Sequence, residues 1–231
     1  MIELIFPRRC PVCDNIVVPK GELICSSCRK KIRYIKEPRC KKCGKGLQSS
    51  EEAYCYDCTN KPHQFDSGLA LYEYQSVHDS IYRFKYRGRC EYADFYGKEI
   101  YNRLGKQIES WNAEALVPVP IHFTRKNQRG FNQAELIADV LSRYLDIPVE
   151  RNLVKRCKKT IPQKELDDRA RQNNLKKAFK IQRDVVKLKT IILVDDIYTT
   201  GSTIDSIARE LRKAGVKKVF YIALSIGKGQ N

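Results

Sequence analysis

Two adjacent carboxylates and a run of small hydroxyl residues follow a short apolar segment within residues 191–203. The four apolar residues 191–194 are typical of a buried strand in a parallel sheet. Asp195 and Asp196 come next, and a glycine-containing turn follows them. Apolar residues then recur at helical spacing until Ala214-Gly215, which is a helix stop signal. The segment therefore predicts a strand, a turn and a helix, with both acids at the carboxyl end of the strand.

This order of residues predicts a binding site for a phosphorylated sugar. Ligands of open α/β sheets bind outside the carboxyl ends of the strands. A glycine turn that enters a helix aims backbone N–H groups and the positive end of the helix dipole at a phosphate. Two carboxylates would repel a polyphosphate, but they suit vicinal hydroxyls, directly or through Mg²⁺. We expect the phosphate to be bound by the turn residues Thr199, Thr200, Gly201, Ser202 and Thr203.

Residues 194–203, Val-Asp-Asp-Ile-Tyr-Thr-Thr-Gly-Ser-Thr, resemble the phosphoribosyl pyrophosphate (PRPP) signature of type I phosphoribosyltransferases. The resemblance implies that Asp195 and Asp196 hold the ribose hydroxyls, that residues 199–203 surround the 5-phosphate, and that Mg²⁺ accompanies PRPP. A Walker B strand is disfavoured because the sequence has no P-loop motif. A receiver domain would carry such a strand near its beginning. The remaining alternative is an ordinary strand–turn–helix without a ligand.

Eight of the ten cysteines form four C-x-x-C pairs at a 15-residue step, and the residues around them repeat every 30 residues. Two such pairs supply the four thiolates of a tetrahedral Zn²⁺ site and leave no position for water, so we expect two structural zinc ions. We expect each site to be built within one repeat, although spacing alone also permits cross-braced pairing. Disulfides and redox motifs are disfavoured in a cytosolic chain with four evenly spaced pairs. The expected ligands are Cys10, Cys13, Cys25, Cys28, Cys40, Cys43, Cys55 and Cys58.

The chain is strongly basic, with 44 Lys or Arg, 27 Asp or Glu, and a formal net charge of +17. Such a charge favours a polyanionic partner, either a nucleic acid or a ligand that carries pyrophosphate. No apolar run approaches the roughly 18 residues that span a membrane, and the N-terminal residues do not form a signal peptide. We therefore expect a cytoplasmic protein without membrane insertion.

The composition divides the chain into a cysteine-rich module, residues 1–64, and a larger domain, residues 65–231. Residues 61–64 form the expected linker, in which His63 is interpreted as a surface residue because the thiolates already complete the zinc sites. The larger domain alternates apolar strands, at 65–74 and 115–120, with helices at 78–86, 92–104 and from 134 onward. This alternation is typical of an α/β fold with a mostly parallel sheet flanked by helices.

Two basic segments lie near the expected site. Arg125 and Arg129, in the loop 121–133, suit a leaving pyrophosphate because Arg binds phosphate oxygens bidentately. They could equally contact a nucleic-acid backbone. The densely charged segment 155–178 is interpreted as a loop that closes over PRPP and excludes water, with a plain exposed loop as the alternative.

Further motifs extend the resemblance to almost the whole chain. Residues 84–88 (Phe-Lys-Tyr-Arg-Gly), 117–121 (Val-Pro-Val-Pro-Ile) and 129–134 (Arg-Gly-Phe-Asn-Gln-Ala) resemble the ComF family. Between residues 152 and 179, the family's spacing is matched by Thr160, Gln163, Leu166, Arg171, Asn174 and Phe179.

The ComF resemblance implies a type I phosphoribosyltransferase-like domain preceded by a double zinc ribbon-like module. It also implies a role in DNA uptake and natural transformation, with single-stranded DNA and other competence proteins, such as a helicase or a recombination mediator, as partners. The alternative is an active phosphoribosyltransferase that moves ribose 5-phosphate from PRPP to an unknown nitrogenous acceptor. In that reaction Asp195, Asp196, Arg125 and Arg129 would serve displacement of pyrophosphate at the anomeric carbon.

Overall fold

A four-stranded parallel sheet forms the centre of the computed structural model, which describes residues 7–157, 178–182 and 187–227. The strand order is β1-β6-β5-β2, and every neighbouring pair in it is parallel. A separate antiparallel pair is formed by β3 and β4. The strands are β1 (Ser67–Glu73), β2 (Ala115–Pro118), β3 (Val154–Arg156), β4 (Phe179–Ile181), β5 (Thr190–Tyr198) and β6 (Lys218–Ile226).

Helices cover both faces of the sheet because the central strands are apolar on both sides. Along β5, Ile192 and Val194 pack on one side, whereas Ile191 and Leu193 pack on the other. The first side is covered by α3, α4 and α6, and the second by α7 together with the β3–β4 pair. The helices are α1 (Ser26–Arg29), α2 (Tyr56–Asn60), α3 (Tyr74–Tyr86), α4 (Tyr92–Glu109), α5 (Phe123–Arg129), α6 (Gln133–Leu145) and α7 (Ser202–Lys213). The α/β prediction with a parallel sheet is confirmed.

Several boundaries differ from the sequence expectations. Strand β5 continues to Tyr198, so that Asp195 and Asp196 lie inside the strand instead of after it. Helix α3 begins at Tyr74, four residues before the predicted start, and α4 ends at Glu109. The expected loop 121–133 contains α5, which His122 caps by accepting a hydrogen bond from the amide of Thr124.

The segment that was expected to close over the ligand begins in β3 and ends just before β4. Its residues 158–177, which include the matched positions 160, 163, 166, 171 and 174, lie outside the described residues. Within the described part of the chain, no helix combines the length and the apolar character needed to cross a membrane.

The two cysteine repeats pack on different parts of the larger domain. The first repeat contacts α4 and the turn before it, where Arg89 forms an ion pair of 2.8 Å with Asp14. The second repeat lies against the sheet, and the hydroxyl of Tyr221 in β6 donates a 2.7 Å hydrogen bond to the carbonyl of Cys43. Gly44 makes this approach possible, because a Cβ there would lie 2.7 Å from the carbonyl oxygen of Gly68.

Candidate functional site

The eight paired cysteines form two clusters, and each cluster is built within one 30-residue repeat. In each cluster the four Sγ atoms lie within 4.8 Å of one another. Cross-braced pairing is therefore excluded. Four thiolates at this spacing match a tetrahedral structural zinc site, and they would occupy all four positions of the ion. The clusters consist of Cys10, Cys13, Cys25 and Cys28, and of Cys40, Cys43, Cys55 and Cys58.

The acid pair on β5 is held by one ion pair and one hydrogen bond. The Oδ2 atom of Asp196 lies 2.7 Å from the Nζ atom of Lys85, and both side chains are only 16% exposed. The Oδ1 atom of Asp195 accepts a 2.8 Å hydrogen bond from the amide of Asp196. Lys85 comes from the last turn of α3, so that helix helps to balance the two negative charges.

The two carboxyl groups differ in their surroundings. Burial, together with the neighbouring charge of Asp196, raises the pKa of Asp195 to about 7, whereas Lys85 and Arg156 oppose the shift. A carboxyl group with such a pKa exchanges its proton near neutral pH. Perturbed groups of this kind concentrate at functional sites, where burial and neighbouring charges adjust a pKa to the chemistry.

The turn after β5 has a backbone that requires glycine. Gly201 has φ = +74°, and a Cβ there would lie 2.5 Å from the hydroxyl of Tyr198. Helix α7 begins at the next residue, so its N-terminus follows the turn directly. The hydroxyls of Thr200 and Ser202 are 2.9 Å apart. The predicted strand–turn–helix is present, and its turn has the form that binds phosphate groups.

A cavity of about 820 Å³ joins these parts at the carboxyl ends of β2 and β5. Of the residues that the sequence assigned to the site, six line this cavity: Asp195, Asp196, Thr199, Thr203, Arg125 and Arg129. The other three, Thr200, Gly201 and Ser202, belong to the same turn but are not in the cavity wall.

Among the residues that the structure describes, four cations line the cavity, and sequence reasoning assigned only two of them, Arg125 and Arg129, to the site. The other two are Lys85, within the 84–88 motif, and Arg156, at the end of β3. Burial lowers the pKa of Arg156 to about 10, so its side chain stays charged at neutral pH. Within the described part of the wall, four cations against two carboxylates give an excess of positive charge, which suits an anionic ligand.

Comparisons with known proteins agree with this architecture. A model described as "Double zinc ribbon domain" matches residues 1–59, and one described as "Phosphoribosyl transferase domain" matches residues 129–231. "Competence protein F" of Haemophilus influenzae is 35% identical over 93% of this chain and 95% of its own. "Competence protein ComFC" of Bacillus subtilis is 31% identical over 89% of each chain. The chain belongs to the ComF family.

Two further similarities reach beyond the proteins named for competence. "DNA utilization protein YhgH" of Escherichia coli K12 is 30% identical to this ComF-family chain, over 94% of this chain and 96% of its own. A purine phosphoribosyltransferase of Pyrococcus horikoshii covers 60% of this chain and 73% of its own, at 21% identity and a TM-score of 0.35. The latter similarity is too low to support anything about this chain.

One residue of the linker in this ComF-family chain lies in an unexpected place. The interpretation of His63 as a surface residue is wrong, because its side chain is 2% exposed and its Nδ1 atom lies 2.8 Å from Asp205 of α7. The His63 ring also stacks on Phe65 at 4.7 Å. Local sequence gave no sign of this contact, because Asp205 is 142 residues further along the chain.

The same linker reaches the glycine turn of the ComF-family site. The Nζ atom of Lys61 donates a 3.1 Å hydrogen bond to the carbonyl of Thr200. The amide of Gln64 donates a 2.7 Å hydrogen bond to Asp205. A Cβ at Gly201 would lie 3.0 Å from the Cε1 atom of His63. The end of the cysteine-rich module therefore supports the turn from outside the cavity.

Proposed function

We propose that this protein binds PRPP with Mg²⁺ and acts in DNA uptake and natural transformation in the cytoplasm. The observation that carries the ligand proposal is one cavity whose wall combines Asp195 and Asp196 with two threonines of the glycine turn and two arginines. The names of the competence relatives support the cellular role. We further propose single-stranded DNA and other competence proteins, such as a helicase or a recombination mediator, as partners, and the net charge of +17 supports a polyanion among them.

Each part of PRPP has a matching feature in the cavity. The 5-phosphate would lie at the start of α7, where backbone amides and the helix dipole favour an anion. The ribose hydroxyls would donate hydrogen bonds to Asp195 and Asp196. Arg125 and Arg129 would neutralise the pyrophosphate. Mg²⁺, a hard cation that prefers oxygen ligands, would accompany the pyrophosphate and the ribose. We place the boundary between the zinc module, residues 1–64, and the PRPP-binding domain, residues 65–231.

The alternative function is transfer of ribose 5-phosphate to a nitrogenous acceptor. It is favoured by Arg125 and Arg129 in the wall of the same cavity as the acid pair, because these cations would stabilise a leaving pyrophosphate. The bond between the anomeric carbon and the pyrophosphate oxygen would break, and the acceptor nitrogen would form the new bond. Release of pyrophosphate from PRPP that depends on an added acceptor would establish this activity.

Titration calorimetry with PRPP and Mg²⁺ tests the ligand proposal. We expect the wild-type protein to bind PRPP in the range of roughly 1 μM to 1 mM that substrates commonly show. The double variant Asp195→Asn with Asp196→Asn removes the negative charges of the groups that would accept from the ribose hydroxyls, so its affinity should fall at least about 100-fold, at about 1.5 kcal/mol or more per lost charged acceptor.

The matched control is Glu51→Gln with Glu52→Gln, which neutralises an adjacent pair of exposed carboxylates in the second cysteine repeat. We expect this control to bind PRPP like the wild type. Absence of binding heat from the wild-type protein, or equal affinities of the two double variants, would contradict the proposed PRPP site.

A further inference from the structure

Two exposed tyrosines lie one helical turn apart on α3, next to the mouth of the cavity. Tyr82 is 49% exposed and Tyr86 is 58% exposed. Their ring centroids are 5.0 Å apart and their planes are tilted by 45°. Tyr86 also lines the cavity. Single exposed aromatic residues are common on protein surfaces. Two exposed rings in contact at the edge of the cavity are less usual, and they indicate a binding surface.

An arginine extends this pair towards α5. The guanidinium carbon of Arg129 lies 4.6 Å from the centroid of the Tyr86 ring. Its Nη2 atom donates a 3.0 Å hydrogen bond to the Tyr86 hydroxyl, and its Nη1 atom donates a 3.1 Å hydrogen bond to Gln133. Arg129 is therefore held against the ring. We call Tyr82, Tyr86 and Arg129 the tyrosine–arginine stack.

The chain around the stack is basic. Residues 82–91 and 121–131 together contain seven Lys or Arg and one carboxylate, Glu91. Arg83 and Arg89 are used to bind the first cysteine repeat, whereas Arg87 is exposed beside Tyr86. Flat rings with cations beside them are the combination by which proteins hold single-stranded nucleic acids: bases stack on the rings, and phosphates follow the cations.

We propose that the tyrosine–arginine stack binds single-stranded DNA, with unpaired bases on Tyr82 and Tyr86 and backbone phosphates along Arg87 and Arg129. The proposal rests on the DNA-uptake function above and gives it a location. Charge complementarity argues for DNA as the occupant. Unpaired bases are required because the faces of bases in a duplex are covered by their neighbours, whereas a single strand exposes faces that can stack on tyrosine.

Fluorescence anisotropy with a labelled oligothymidylate tests the location. An oligonucleotide of about 20 residues exceeds the usual site size of roughly 4–16 nucleotides. We expect Tyr82→Ala with Tyr86→Ala to weaken binding at least about tenfold at fixed salt, because stacking surface for two bases is lost. The salt dependence of the affinity should stay the same, because the phosphate contacts remain. Tyr82→Phe with Tyr86→Phe should restore most of the affinity, since it restores the rings.

Tyr54→Ala with Tyr56→Ala is the matched control, because these tyrosines are 51% and 63% exposed but lie in the second cysteine repeat. This control should bind DNA like the wild type. PRPP binding by the single variant Tyr82→Ala reports on the integrity of the fold, because Tyr82 is not part of the cavity wall. If the alanine variant at Tyr82 and Tyr86 binds DNA like the control, the proposed location is wrong, although the DNA function stands.

Two other outcomes would also overturn the location. If the wild-type protein binds no oligonucleotide, both the DNA partner and its location fail, whereas the PRPP proposal is untouched. A duplex of the same length could bind as tightly as the single strand and lose as much affinity in the alanine variant. In that case the rings do not act by stacking on unpaired bases.

Discussion

The carboxyl group of Asp195 lowers the stability of the folded protein at neutral pH when no ligand is bound. Its carboxyl group is buried next to a second carboxylate, and both effects raise its pKa to about 7. The ordinary pKa of an aspartate side chain is 3.8. A carboxyl group with a raised pKa is protonated at low pH and then affects stability no more than a neutral residue would, but it destabilises the fold increasingly as the pH rises from the unfolded-state pKa through the folded-state pKa. The acid is thus retained against a penalty at neutral pH, as expected of a group that serves a ligand.

A pH series of thermal unfolding without PRPP or Mg²⁺ tests this interpretation. Asp195→Asn keeps the side-chain oxygen that accepts from the amide of Asp196, and it removes the buried charge. We expect the variant and the wild type to be about equally stable near pH 4. The variant should become more stable by about 1–3 kcal/mol by pH 8, since each unit of pKa shift corresponds to about 1.4 kcal/mol and the open cavity weakens the effect.

The control for this series is Asp79→Asn, at a carboxylate that is 83% exposed. It should show no such growth in stability between pH 4 and pH 8. A stability difference for Asp195→Asn that shrinks as the pH rises would contradict the raised pKa.

The part of the site formed by residues close in sequence could be predicted, whereas the contacts between segments that only the fold brings together could not. The acid pair and the glycine turn lie within nine residues of chain, residues 195–203, so their order alone indicated the site. The contact of Lys85 with Asp196 and that of His63 with Asp205 join distant segments. The sequence could show a lysine in a motif and a histidine in a linker, but only packing determines which acid each one meets.

At the scale of elements, the second cysteine repeat supports the glycine turn through a chain of aromatic rings. Tyr221 donates to the carbonyl of Cys43 and stacks on Tyr198 at 4.7 Å with planes only 3° apart. Tyr198 in turn lies next to Gly201. His63 approaches Gly201 as well. The turn is therefore held by β5, β6 and the linker, and its shape depends on the cysteine-rich module.

Replacement of His63 tests this support. We expect His63→Ala to weaken PRPP binding roughly fivefold to tenfold, because Asp205 keeps the amide of Gln64 but loses His63 as a partner, and the turn loses a neighbour while the cavity wall keeps all its side chains. A lost hydrogen bond to a charged group corresponds to about 1.5 kcal/mol, or about tenfold in affinity. Calorimetry with PRPP and Mg²⁺ measures the change.

The zinc content of the variant should be measured alongside its affinity for PRPP. It shows whether a weaker affinity comes from the turn alone or from damage to the cysteine-rich module. Since His63 is not part of either cysteine cluster, the variant should retain as much zinc as the wild type. His78→Ala is the matched control, at a histidine that is 49% exposed on α3. Loss of zinc in His63→Ala, or an equal effect of both histidine variants, would argue against a specific role for this residue.

At the scale of the whole molecule, Arg129 belongs to two proposed sites. It lines the cavity, where it would meet the pyrophosphate of PRPP, and it packs on Tyr86 in the tyrosine–arginine stack. One guanidinium group cannot satisfy both anions fully. Bound PRPP would also add negative charge beside the path of the DNA. The two ligands should therefore weaken each other's binding.

Competition between the two anions can be measured in both directions. We expect saturating PRPP with Mg²⁺ to raise the Kd for the oligothymidylate about fivefold, and saturating oligothymidylate to raise the Kd for PRPP by the same factor, because coupling of binding free energies is reciprocal. In the double variant Asp195→Asn with Asp196→Asn, PRPP should leave the Kd for DNA unchanged, which separates site occupancy from a general salt effect of PRPP. Tighter DNA binding in the presence of PRPP would instead mean that PRPP orders the surface that DNA uses, and Arg129 would then serve both ligands at once.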